Sequence, residues 1–78
     1  MDFTDKEIED FYKKVGKNVK KIREQKNMTQ LNLSHAIGHK SVSLVSAAEI
    51  CHDKRHFNIE HLYKIAKVLD VEIGEFFK

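Results

Sequence analysis

At 78 residues, with 41% hydrophobic and 33% charged side chains, the chain has apolar material for one core and charge for a solvated surface, which excludes a multi-core architecture and global disorder. Its single cysteine allows no intrachain disulfide, and it has no run of about 18 apolar residues to span a bilayer. An opening that carries Asp2 and Asp5 lacks the basic and apolar regions of a secretory signal, so the expected location is the cytoplasm, with no membrane partner.

The net charge of +2 is unevenly placed. Between Asp2 and Asp10 five acidic residues face Lys6 alone, whereas Lys13, Lys14, Lys17, Lys20, Lys21, Arg23 and Lys26 face only Glu24. Such a stripe suits either a solvated helix face or a phosphate backbone, and charge alone does not choose.

Ile8, Phe11, Tyr12, Val15, Val19 and Ile22 recur at helical spacing and predict an amphipathic helix from about Asp5 to Lys26. Thr4 with Glu7 makes a capping box, and Phe3 with Ile8 a hydrophobic staple. Gly16 marks a bend or a close approach, since glycine inside a helix costs about 1 kcal/mol relative to alanine. Thr29 caps a second, short helix that places Leu33 and Ile37 on one face and ends at Gly38, a residue suited to the left-handed conformation. After Gly38, His39 and Lys40, Ser41 caps a third helix with Val42, Val45 and Ala48 or Glu49 along one side. A loop from Cys51 to His56 follows, and Asn58 then caps a fourth helix to about Leu69, stapled by Phe57 and Leu62. Ile73, Phe76 and Phe77 fit a last short helix. No strand-like alternation, repeat or linker is present, so the expected fold class is all-α, with five helices in one domain over residues 1–78.

The stretch TQLNLSHAIG, with Thr29, Gln30, Leu33, Ile37 and Gly38, resembles the first helix of a Cro and lambda-repressor type helix-turn-helix. NIEHLYKIAKVLDVEIGEFF resembles the two closing helices of that family, and Glu49 resembles the acidic residue that often ends its recognition helix. The resemblance covers residues 17–77 and leaves 1–16 as an N-terminal helical extension. It implies a five-helix lambda-repressor-like domain that binds double-stranded DNA and acts as a repressor-like transcriptional regulator, as a homodimer on half-sites about one DNA turn apart. It further implies backbone contacts from Thr29 and Gln30, with Lys40 beside them and Lys54 and Arg55 across the groove. Base edges then fall to Ser41, Ser43, Leu44, Ser46 and Ala47.

Two departures bear on that reading. The stretch from Gly38 to Glu49 is one residue longer than the usual pattern, which leaves the register of the third helix open by one, and Ser34 stands where alanine is usual. Between Ser41 and Ala48 there are three serines but no Arg, Lys, Asn or Gln to form bidentate base contacts, so direct readout is thin and DNA shape has to assist.

Other readings of the same residues remain. Cys51, His52, His56 and His61 are zinc-ligand types, but no CxxC or paired-His spacing organises them; buried thiol and helix-end imidazoles are the plainer account, and no metal or cofactor is expected. A chain this small offers no evident cleft or oxyanion donors for Cys-His catalysis, so it is not expected to be an enzyme. The apolar side chains of the third helix also suit a protein-interaction module or an antitoxin-like component, with a protein partner in place of DNA. Phe3, Phe11, Phe76 and Phe77 either join a dimer interface or finish the core.

Overall fold

A computed structural model describes residues 1–78. The first helix, α1, runs Asp5–Gln25. Its start is fixed locally by the expected capping box: Glu7 N–H donates to Thr4 Oγ1 at 3.1 Å and Thr4 N–H to Glu7 Oε2 at 2.7 Å. The staple is not formed as a buried contact, for Phe3 is 70% exposed and Ile8 also lies in solvent. The first turns of α1 stand away from the core, whose α1 members are Val15 and Val19.

α2 spans Gln30–Ala36, with Thr29 Oγ1 accepting Asn32 N–H at 3.0 Å. Its last regular turn closes two residues before Gly38, which takes φ +96° as a residue without Cβ readily does. α3 spans Ser43–Ile50 with Val42 at the cap position, so it begins one residue later than the Ser41 cap suggests. The reason is the serine itself: Ser41 Oγ accepts Ser43 N–H at 3.0 Å, a contact two residues on that shapes a turn, while Val42 precedes the helix with no side-chain cap. Cys51 then takes a left-handed conformation (φ 53°) and ends α3.

α4 spans Ile59–Leu69. It opens with a second capping box, in which Asn58 Oδ1 accepts His61 N–H at 2.7 Å and His61 Nδ1 accepts Asn58 N–H at 3.1 Å. Asp70, at φ 57°, ends it. The expected fifth helix is instead a short 3-10 segment, Ile73–Phe77, and another 3-10 turn, His52–Lys54, lies in what reads as loop. Four α-helices and two 3-10 segments therefore replace the five helices expected. Both segments are tied by bonds three residues apart, such as Glu75 N–H to Glu72 carbonyl at 3.0 Å, and neither is long enough to continue as an α-helix.

One hydrophobic cluster joins these elements. Val15 and Val19 of α1, Leu33 and Ile37 around the end of α2, Val45 and Ala48 of α3, and Phe57 to Leu69 around α4 meet beneath Phe76. Asn18 fastens the C-terminal segment across α1 by donating to the Phe76 carbonyl at 2.9 Å. Gly16 resolves as a close approach rather than a bend. A Cβ built there would stand 2.5 Å from the Ala48 carbonyl oxygen and 2.7 Å from that of Glu49, so α1 and α3 touch backbone to backbone. No helix is long and apolar enough to cross a membrane.

Candidate nucleic-acid interface

The α2–turn–α3 unit is held from behind by a buried ionic contact. Arg23 of α1 donates from Nε to Glu49 Oε2 at 2.7 Å and from Nη2 to Oε1 at 3.1 Å, and its Nη1 donates to the Met28 carbonyl at 2.7 Å. Arg23 is thus no part of the exposed basic stripe; it is 7% exposed, and Glu49 3%. A fork-like guanidinium matched to a carboxylate satisfies both charges where water cannot. Gln30 joins them, its Nε2 donating to Glu49 Oε1 at 2.8 Å. One amide hydrogen is thereby engaged and the other is free. The helix-turn-helix is consequently tied at the start of α2, at the end of α3 and along α1.

The turn is tied as well. His39 N–H donates to the Ser34 carbonyl at 2.9 Å and Gly38 N–H to that of His35 at 3.0 Å, while the His35 ring nitrogen Nε2 lies 3.3 Å from the Lys40 carbonyl. Between α2 and α3 the Lys40 side chain lies in solvent. Ser34 itself is fully buried and its hydroxyl has no hydrogen-bond partner.

Of the residues singled out from the sequence, Ser41, Ser43, Leu44, Lys54 and Arg55 line one open surface, together with His39 and His56. The two serine hydroxyls lie 2.6 Å apart. Ser46 is half-buried, and its hydroxyl donates to the Ser43 carbonyl at 3.2 Å. Ala47 is only 7% exposed, so its methyl offers little surface to a partner. Thr29 is exposed at the start of α2, but its hydroxyl already serves as the helix cap.

The loop that presents Lys54 and Arg55 is conformationally particular. Asp53 and Lys54 both have left-handed φ, 52° and 61°, and Arg55 N–H donates to the His52 carbonyl at 3.0 Å. His56 stacks on Tyr12 of α1, ring centroids 3.6 Å apart and planes within 11°. His39 and His56 adjoin Lys40 and Arg55 in sequence, and that adjacency was the only signal available for them. The Tyr12–His56 stack joins distant parts of the chain and left no pattern.

The exposed lysines of α1, Lys13, Lys14, Lys17, Lys20 and Lys21, line a separate polar surface with Asp10, Asn18 and Glu24. No group of three or more His, Cys, Asp or Glu side chains converges to hold a metal ion. Burial pushes the Cys51 thiol above its ordinary value, the reverse of what a reactive thiolate needs.

No curated protein sequence matches the chain. A family model described as helix-turn-helix matches residues 19–76, from the middle of α1 through Phe76. With α2, the turn and α3 buttressed by Arg23 and Glu49 inside that span, the chain belongs to the helix-turn-helix family of the Cro and lambda-repressor type, whose members are DNA-binding regulators.

Proposed function

We propose that the protein is a sequence-specific transcriptional regulator, repressor-like, that reads duplex DNA with the N-terminal half of α3 and acts as a homodimer on two half-sites about one helical turn apart. The observation that carries this reading is the open surface on which Ser41, Ser43 and Leu44 lie between His39 and the Lys54–Arg55 loop. Short hydroxyl and apolar side chains at the groove floor, with cations at its edge, are the division of labour of base readout and backbone grip. Ser43 exchanges hydrogen bonds with base edges, and Leu44 covers a thymine methyl. Lys40, Lys54 and Arg55 neutralise phosphates. Gln30, its amide oriented by Glu49, has a second amide hydrogen for a phosphate oxygen beside Thr29.

Selection from a random duplex library tests this, followed by titration of the winning and a scrambled duplex at two salt concentrations. A repeated half-site bound far more tightly than the scramble is expected. Lys54→Ala is expected to weaken binding to every sequence and reduce the salt slope by about 1, whereas Ser43→Ala changes the order of preferred sequences. No enrichment, with weak binding to both duplexes that vanishes as salt rises, would overturn the reading in favour of a protein partner on the same fold.

A further inference from the structure

The N-terminal part of α1 lies outside the family match at residues 19–76, yet it forms one wall of an open groove lined mostly by apolar side chains. Ile8, Phe11 and Val15 of α1 face Ile59 and Leu62 of α4 and Phe77 across an open groove. Phe11 is 50% exposed and Ile59 71%. Phe11 is not loose, for it stacks on Phe77 with centroids 6.0 Å apart and planes 22° apart. An ordered apolar patch of this kind is what an interface presents before it closes. The groove shares only His56 with the surface proposed for DNA, so covering it leaves Ser41, Ser43 and Leu44 free.

Charge decides what covers it. Glu7 and Lys14 lie four residues before and three after Phe11, on one flank of the helix. Glu7 Oε2 is used in the capping box and Oε1 is free, and Lys14 takes part in none of the chain's ion pairs. A twofold axis beside α1, perpendicular to it and level with the midpoint of Asp10 and Phe11, would set position 7 of one copy opposite position 14 of the other and bring Glu7 against Lys14 twice, each about 5 Å along the helix from the axis. A parallel arrangement would instead stack like on like.

We propose that the groove is covered by a second copy of this chain, the two α1 helices packing antiparallel with Phe11 near the axis and Glu7 of each copy facing Lys14 of the other. The proposal gives the homodimer of the preceding reading its interface, and it rests on that reading only for the expectation that two copies meet. Sedimentation velocity of the full chain without DNA tests it, with far-ultraviolet circular dichroism to establish that each variant is folded. The wild type is expected to dimerise, and Phe11→Asp to be a folded monomer. Lys14→Glu is expected to weaken the dimer roughly tenfold or more, and Glu7→Lys combined with Lys14→Glu to recover it. A wild type monomeric at all concentrations, or a dimer indifferent to Phe11→Asp and Lys14→Glu, would overturn the interface. The DNA reading is judged separately: a monomer that still selects a half-site sinks only the interface, and a charge-swappable dimer that selects no duplex sinks only the DNA reading.

Discussion

Arg23 of α1 and Glu49 of α3 form a two-pronged ion pair, 2.7 Å and 3.1 Å, in which both side chains are almost wholly removed from water. Removing one charge strands the other, so Glu49→Ala is expected to cost about 3 to 5 kcal/mol of folding stability. Joint replacement by Met at 23 and Leu at 49 should cost much less, because neither charge is then left unpaired. Urea titrations of the three proteins check this. Equal midpoints for wild type and Glu49→Ala would show that the pair does not hold α1 to α3.

Gly16→Ala should destabilise the protein although alanine is the better helix former by about 1 kcal/mol. The new Cβ meets two backbone carbonyls of α3 at 2.5 and 2.7 Å, and neither can swing aside. A net loss of about 1 to 3 kcal/mol is expected from forcing the helices apart. Gly74→Ala is the control, since its Cβ meets nothing within 4 Å. Thermal melts of the pair give the comparison, and a melt of Gly16→Ala above the wild type would contradict the close contact.

Ser34→Ala should raise stability by about 1 kcal/mol or more. The Ser34 hydroxyl is buried without a partner, and desolvating such a group costs about 1 to 3 kcal/mol that alanine does not incur. Denaturant midpoints decide the sign. A loss on substitution would mean that the hydroxyl is satisfied in solution, for instance by an internal water.

Acidification should loosen the start of α4. Burial, and then the neighbouring His39, hold the His61 imidazole below its ordinary value of 6.5, and its Nδ1 must stay unprotonated to accept Asn58 N–H. The unfolded chain therefore binds the proton more readily. His61's contribution is fully present above about 6.5 and is lost as pH falls from there through the lower folded-state value. His61→Gln keeps a capping-box side chain without the titration, so its melting temperature should fall less over that range than the wild type's. Parallel pH profiles of the two would refute this.

Local chemistry made much of the fold legible. Thr4, Thr29 and Asn58 announce helix starts because each side chain answers amides within its own first turn, and Gly38 announces a left-handed residue for equally local reasons. The start of α3 was misplaced by one residue because a serine two positions ahead of an amide bonds it as readily as a true cap does. The closing segment read as a helix because Ile73, Phe76 and Phe77 have helical spacing, which a 3-10 turn shares over five residues. Of the candidate site, Lys54, Arg55, Ser41, Ser43 and Leu44 do share one surface. The inward turn of Ala47 and the Arg23–Glu49–Gln30 contact were hidden, because each depends on how α3 lies against α1, an angle that helical spacing along either element does not specify.

The backbone contact at Gly16 gives the N-terminal segment a mechanical role. The main-chain contact at Gly16 and the Arg23–Glu49 pair farther along α1 hold the two helices at two points, which opposes any pivot of one against the other. From Gly16 back to Asp5, α1 extends about 18 Å as a stiff arm fixed to the helix that carries Ser43. A clamp on the arm's outer end is therefore expected to bear on the tilt of α3, and a dye on the first turn of α1 to follow the motion of α3 from a distance.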